Sequence, residues 1–316
     1  MRASATVPAR GYAFVVLAAM FWAVSGTSGK YLFQHGMTPV ELVQLRVTIT
    51  SALLFCWLYA RDRSLLRISS RDILYFMVLG VAGTAMLQFL YFYSISKIQV
   101  AMAILLEYLA PVFIALYSVL FVRERLTAKT TVAIAGTTAG CYLAVGAYNV
   151  DLLGMNWVGI VSGIASAIAF AWYTVHGERG MRRYDPATVL FYGFLFAAFF
   201  WNAVVPPFQA LRHGYSPVEW GLIFYIVVFG TMVPFGLYTH GINLIRSTRA
   251  SVTATLEPIL AGFISYIFLG ESLALPQMAG GFLVIGSVVL LQIGKERDEN
   301  TPALIRTRNR GETSER

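Results

Sequence analysis

Charge is what this chain has least of. Asp, Glu, Lys and Arg make up 13% of its 316 residues, about half of the roughly 25% usual in a soluble domain. Such scarcity excludes a disordered chain, a coiled coil and an ordinary soluble enzyme. Cysteine is nearly absent: Cys56 and Cys141 both sit in apolar runs, which gives no disulfide framework. No His/Cys/Asp cluster has metal-ligand spacing, so neither a metal nor any other cofactor is expected. Gly29-Lys30 lacks the glycine five positions before Gly29 that a phosphate loop requires, where Val24 stands instead; ATP-driven transport by this chain has no support. Long polar stretches are also missing, which leaves no room for a second soluble domain. What is present is apolar: 57% of the residues are hydrophobic and 14% of the whole chain is aromatic, with a mean hydropathy of +0.65. That is the composition of a polytopic membrane protein.

Apolar segments fall at about 11–33, 39–59, 73–95, 99–122, 130–147, 156–177, 186–206, 220–242, 250–269 and 276–293. Each approaches the roughly 20 residues a bilayer-crossing helix needs, and backbone groups in lipid must be satisfied within the segment. The start, with Arg2, Arg10 and an apolar run from Gly11, resembles a signal peptide. Its run continues to about Phe33 without a clear cleavage site, so it is taken as the first span. Ser216 followed by Glu219 forms a capping box that opens the eighth helix.

The net charge of +8 would raise the question of nucleic acid in a soluble protein. Placement answers it. With the N-terminus inside, the inner loops hold Arg2, Arg10, Arg61, Arg63, Arg67, Arg71, Arg123, Arg125, Lys129, Arg179, Arg182, Arg183, Arg246 and Arg249. The tail adds Lys295, Arg297, Arg306, Arg308, Arg310 and Arg316. Outside lie only Lys30, Lys97 and Arg212, and Arg46 is within a span. This asymmetry is the positive-inside pattern of ten spans with both ends cytoplasmic, and not a nucleic-acid footprint. The polar stretch 294–316 is expected to be a disordered cytoplasmic tail.

The sequence repeats at an offset of 147. Pro39 falls on Pro186, Ser69 on Ser216, Asp72 on Glu219, Gly83-Thr84 on Gly230-Thr231, Tyr91 on Tyr238, Pro111 on Pro258 and Glu124 on Glu271. Trp22 and Trp172 correspond at an offset of 150. Each repeat holds five helices. Five is odd, so the copies enter the membrane from opposite sides. The expected fold is all-α and polytopic, with ten transmembrane helices in two inverted five-helix repeats. Its divisions are residues 1–10 as a cytoplasmic N-terminus, 11–147 and 156–293 as the repeats, and 294–316 as the tail. Inverted duplications are characteristic of secondary transporters, with the site near the midplane between the halves.

Phe21-Trp22-Ala23 and Ala171-Trp172-Tyr173 resemble the first-helix motif of each half of the drug/metabolite transporter superfamily, EamA type. Leu109-Ala110-Pro111-Val112-Phe113 through Val122-Arg123-Glu124-Arg125-Leu126-Thr127 is similar to its fourth-helix motif. Leu256-Glu257-Pro258-Ile259-Leu260 through Leu269-Gly270-Glu271-Ser272-Leu273 is similar to the ninth. The resemblance covers about residues 11–293. It implies a bacterial inner-membrane carrier, often an exporter of amino acids or other small metabolites. It also implies a central cavity lined by helices one, three, four, six, eight and nine.

Ionisable groups inside spans are functional candidates by default. Glu107 and Arg46 come at similar depths from the same surface, so a salt bridge or direct substrate contact is expected of them. Lys30 and Glu41 could pair nearer that surface. Glu257 enters from the other side with no cation at matching depth. Desolvation penalises a lone carboxylate, so Glu257 stands either as a proton-coupling acid or as a hydrogen-bonded residue fixing the bend at Pro258. Pro111 and Pro258 free the carbonyls four residues earlier and are expected helix breaks beside the cavity. Trp22, Tyr91, Tyr108, Trp172 and Tyr238 offer aromatic surface with polar tips, more suited to packing than to ligand contact. Gln88, Gln44 and Thr231 could meet ligand or bond between helices. Gly136-x-x-x-Gly140 and Gly159-x-x-x-Gly163 are expected to pack helices within a monomer.

The partners expected are therefore a small-molecule substrate, the bilayer and, if Glu257 is a coupling acid, protons. A passive facilitator or exchanger is the alternative within transport. An intramembrane serine hydrolase is the alternative outside it: Gly26-Thr27-Ser28-Gly29 has the nucleophile form, with His176 and His240 as bases. A duplicated ten-helix chain is the wrong scaffold for that chemistry, so no enzyme activity is expected. Intramembrane cations are too few for phosphorylated substrates, which favours a small zwitterion or a moderately apolar metabolite.

Overall fold

A computed structural model describes residues 6–121, 126–149, 156–206, 210, 214–261, 263, 274–293 and 301–314. Ten membrane segments follow in order. They are α1 (Thr6–Gln34), α2 (Pro39–Arg61), α3 (Ser70–Lys97), α4 (Val100–Leu120), α5 (Ala128–Ala144), α6 (Trp157–Met181), α7 (Pro186–Val204) and α8 (Pro217–Ile245). Then come α9, beginning at Ser247–Ala254, and α10 (Leu275–Ile293). Seven of these are long and apolar enough to cross a membrane by length and composition alone. No strand occurs among the described residues.

Local chemistry sets the helix ends. The expected capping box of Ser216 and Glu219 opens α8, and a second, Thr38 with Glu41, opens α2. Asp185 and Asn156 cap α7 and α6 by accepting backbone N–H bonds. Each cap satisfies amide groups that the first helical turn leaves without a partner.

Four irregularities interrupt the bundle, and they come in repeat-related pairs. α3 contains a π-helical stretch at Leu79–Ala85, and α8 contains one at Val228–Met232. Each holds one of the duplicated Gly-Thr pairs. α4 is broken after Glu107: Val100–Glu107 and Ala110–Leu120 are separate helical pieces, with Pro111 in the first turn of the second. α9 turns at Thr255 and Leu256 and resumes over 257–261, with Pro258 in that first turn. Both prolines therefore stand at helix breaks.

The halves pack closely where side chains are small. A Cβ on Gly280 of α10 would lie 2.6 Å from both the Gly140 carbonyl and the Ala144 nitrogen of α5. Cβ atoms on Gly159 and Gly163 of α6 would meet Ile98 and Leu106 at 2.6 and 2.7 Å. Both small-residue pairs thus have members that pack helices of this chain against one another. Outward faces carry Leu74, Phe224, Phe282 and Leu116 in exposed positions, as lipid contact requires.

The arginine-bearing loops gather at one end, here called the basic end. Arg183 pairs with Asp72 at 3.0 Å, and Thr188 and Tyr192 donate to the carbonyls of Leu65 and Leu66. Burial, together with its bond to Asp72, pushes the Tyr184 phenol above its ordinary value. The expectation of a disordered tail needs correction here. Residues Pro302–Ser314 form a helix, α11. Its Arg306 donates to the carbonyls of Met181 and Tyr184 at 2.6 and 3.0 Å and to Asn243 at 3.2 Å. Unpaired carbonyls at the end of α6 supply a docking point that composition does not reveal.

Candidate functional site

The breaks in α4 and α9 bring Glu107, Tyr108 and Glu257 to the middle of the bundle. There they line a cavity with Trp22, Ser25, Arg46, Leu87, Gln88, Tyr91, Phe170, Gly230 and Phe235. The space open inside it is about 40 Å³, room for a few water molecules at most, so the cavity is closed down in this structure and a small-molecule substrate enters only when its lining moves. Six of the contributing helices are those the resemblance implied; α2 is the addition, through Arg46.

Arg46 is 2% exposed. Its Nε and Nη2 donate to Thr231 Oγ1 at 3.0 and 2.7 Å, and Nη2 also reaches the Gly230 carbonyl at 3.3 Å. The guanidinium lies 4.6 Å from the Phe92 ring centroid, a cation–π distance. Thr231 Oγ1 in turn donates to the Ile226 carbonyl, five residues back, at 2.6 Å. The π-helical stretch of α8 is therefore the cradle of the buried cation. The expected Arg46–Glu107 salt bridge does not form. Both groups line the cavity, but Arg46 is held by α8, and no hydrogen bond of the Glu107 carboxyl is found among the described residues. No hydrogen bond of Arg46 Nη1 is found among the described residues either.

Repeat symmetry shows why one such cation exists. The position equivalent to Arg46 is Gly193, and a Cβ there would lie 3.1 Å from Thr84 Oγ1. Thr84, the counterpart of Thr231, is fully buried and its hydroxyl has no partner. The first half thus keeps the threonine of the pair but has no arginine to meet it.

Glu257, expected to lack a partner, has one. Tyr108 Oη donates to its Oε2 at 2.6 Å, and the residue is 5% exposed. Tyr108 stands at the α4 break, so the two broken helices are joined by this bond. Sequence reading placed Tyr108 among aromatic packing and missed it as a ligand of Glu257. The expected Lys30–Glu41 pair is also absent. Lys30 donates to the Ile95 and Ile98 carbonyls at 2.6 and 3.0 Å, while Glu41 is engaged in its capping box.

Of the aromatic candidates, Trp22 and Tyr91 line the cavity. Tyr238 lies behind it, fully buried, packed on Trp22 and Phe170 and bonded to Thr174 at 3.2 Å. Trp172 is displaced to a cleft at the basic end, stacked on His176. Gln88 faces the cavity with its Nε2 unpartnered and buried. Gln44 and Thr231 instead bond between helices, Gln44 to Asn202 and the Val205 carbonyl. Ser28 Oγ donates to the Val24 carbonyl of its own helix, and no hydrogen bond links it to His176 or His240. No group of three or more metal-binding side chains occurs among the described residues. Glu124 and Glu271 lie outside the described residues, with 122–125 of the fourth-helix motif and 269–273 of the ninth.

The fold and sequence have relatives. An uncharacterized inner membrane transporter of Salmonella typhimurium, YicL, is 28% identical over 294 residues, spanning 91% of this chain and 97% of that one. An uncharacterized transporter of Archaeoglobus fulgidus is 32% identical over 66% of this chain and 74% of its own. The threonine/homoserine exporter RhtA of Escherichia coli is 25% identical over 72% and 73%. A crystal structure sharing 21% identity superposes with a TM-score of 0.70 over 92% of this chain and 99% of that one, which establishes the common fold. The family model of EamA-like transporters matches residues 9–146 and 157–293, the two five-helix halves in turn. This chain is a multi-pass membrane protein belonging to the EamA-like transporter family.

Proposed function

We propose that the protein is a secondary carrier that exports amino acids or similar small zwitterions across the bacterial inner membrane by alternating access. Its N- and C-termini face the cytoplasm in this reading, which the arginine-rich loops at one end support. The observation that carries the reading is the cavity's charge pattern. A guanidinium and a carboxyl that makes no hydrogen bond among the described residues line one cavity together with aromatic side chains. A substrate carboxylate suits Arg46 through charge-assisted bonds. Its ammonium suits Glu107, and Gln88 and Ser25 offer polar contacts for a side chain. Trp22, Tyr91, Phe170 and Phe235 supply apolar contact area. The similarity to RhtA, named as a threonine/homoserine exporter, agrees in substrate class.

Glu257 is the proposed coupling acid. It faces the same cavity, and its one bond, from Tyr108, is one that a passing proton or cation can exchange. The second reading, facilitation or exchange without protons, is favoured by that same bond, which also serves to hold the two helix breaks together.

The deciding experiment is uptake into proteoliposomes from a panel of metabolites including all amino acids, with and without an imposed pH gradient. Under the first reading, wild type accumulates a zwitterion against its gradient. Glu257→Gln only equilibrates it, with counterflow exchange retained. Wild-type transport that ignores the pH gradient selects the second reading, and transport of none of the zwitterions rejects the substrate class.

A further inference from the structure

We propose that Lys30 and Glu178 are the two gate residues of the transport cycle, each gripping the joint that leads into a broken helix carrying a cavity carboxyl. The inference rests on the transporter reading above but needs no substrate identity.

The first piece of α4, Val100–Glu107, runs inward from the end opposite the basic loops and delivers Glu107 to the cavity. The first piece of α9, Ser247–Ala254, runs inward from the basic end, and Glu257 follows just past its break. Each piece is short and ends at a break, and a charged side chain grips the joint at its outer end. Lys30, four residues before the end of α1, donates to the Ile95 and Ile98 carbonyls at the α3–α4 joint. Glu178, three residues before the end of α6, accepts from the Ser247 N–H at 2.8 Å and from Arg246 Nε at 3.1 Å at the α8–α9 joint. α1 and α6 are the same helix of the two repeats.

The chemistry inverts with the repeat. The last turn of α3 presents unpaired carbonyls, which attract a cation; the first turn of α9 presents unpaired amides, which attract an anion. Duplicated helices therefore carry opposite charges at corresponding ends, and each charge matches the helix end it grips.

The Glu178 clamp is under tension. Arg246 adopts φ 68° and ψ 167°, the one positive φ at a non-glycine position among the described residues. Such backbone persists where surroundings hold it, and Glu178 holds both the Arg246 side chain and the next amide. Glu178 is itself 3% exposed, with Arg182 as a third partner at 3.4 Å. A carboxylate buried this far leaves its partners only when the helices separate and water enters, which makes the contact two-state rather than graded. Tyr75 bonded to the His176 carbonyl, and Arg306 bridging α6 to Asn243 of α8, close the same end.

Release of Glu178 lets the first piece of α9 swing about the turn at residues 255–256, opening the basic end and moving Glu257. Release of Lys30 does the same for α4, the opposite end and Glu107. Both clamps are closed in this structure, with the cavity between them.

The test is cysteine accessibility. The parent carries Cys56→Ser, Cys141→Ala and Ser25→Cys, the last in the cavity lining. It is labelled with an impermeant maleimide in right-side-out and in inverted membrane vesicles. Glu178→Gln is expected to raise labelling from the basic side at least threefold and to lower it from the other. Lys30→Met is expected to do the reverse. Arg246→Gly removes one partner of Glu178 while suiting the positive φ, so it folds without strain; it is expected to shift labelling in the same direction as Glu178→Gln. The proposal is overturned if Arg246→Gly and Glu178→Gln label like the parent from both sides, or if the Lys30 and Glu178 variants shift in the same direction. Should the metabolite panel show no transported zwitterion while the labelling shifts as stated, the gates stand and the substrate reading alone falls.

Discussion

Removing one hydroxyl from each π-helical stretch gives a paired experiment on the cradle of Arg46. Thr231→Val keeps shape and volume but deletes the acceptor of two Arg46 hydrogen bonds, at 2.7 and 3.0 Å. A bond to a charged group contributes about 1.5–3 kcal/mol, and a buried donor left unpaired costs its desolvation in addition. The Gly230 carbonyl at 3.3 Å retains part of the contact with Nη2. A net loss of about 2–3 kcal/mol follows, through one isosteric change. Thr84→Val is the repeat-related control. Its hydroxyl is fully buried without a partner, so replacing it with a methyl removes an unsatisfied group and should be neutral or stabilising by up to about 1 kcal/mol. Thermal unfolding of both variants in the same detergent gives the comparison, and transport KM gives a second readout. An unanchored guanidinium should raise KM about tenfold or more in Thr231→Val, since each 1.4 kcal/mol is a factor of ten; Thr84→Val should leave KM unchanged. Equal destabilisation by the two changes, or a silent Thr231→Val, would refute the assignment of Thr231 as the anchor of Arg46.

Arg46 and Glu107 line one cavity without a hydrogen bond between them, so the stability losses of Arg46→Ala and Glu107→Ala in the absence of substrate should couple only weakly, by about 0.5–1 kcal/mol; a coupling of about 2–3 kcal/mol in thermal unfolding would mean that they pair. Gly280→Ala places a methyl 2.6 Å from the backbone of α5, and forcing these helices apart should cost about 1–3 kcal/mol, read as a lower unfolding temperature and as reduced recovery of monodisperse protein. For orientation, a cysteine at the exposed Asn149 should react with an impermeant reagent applied to intact cells, and one at the exposed Ser64 should not; the reverse pattern turns the molecule over.

Much of the architecture was legible in the chain because it rests on one-dimensional rules. Lipid satisfies no backbone group, so apolar runs of sufficient length become helices wherever they occur. Arginine placement orients them, and matched landmarks such as Gly83-Thr84 and Gly230-Thr231 expose the inverted duplication. Pro111 and Pro258 marked the helix breaks, since a missing N–H is a local fact. Glu107, Glu257, Arg46, Trp22, Tyr91 and Gln88 were identified as candidates by being polar or aromatic at membrane depth, and all six line one cavity. Partner choice lay beyond the sequence. Depth counting put Arg46 beside Glu107, yet azimuth about the helix axis turns Arg46 to Thr231, because a π-helical stretch rotates α8 and presents its threonine. Lys30 and Glu41 flank one short loop near the same surface, but the carbonyls at the end of α3 hold Lys30. Tyr238 and Trp172 share repeat positions with Tyr91 and Trp22 and do not share their surroundings, since duplicated halves diverge in the residues that face them. Tail residues 301–314 read as solvent-exposed by composition, and only the unpaired carbonyls at the end of α6 make them dock. Hydropathy and charge act along the chain and can be counted there; which side chain answers another depends on helix rotation and on backbone irregularities, and those are settled when the helices pack.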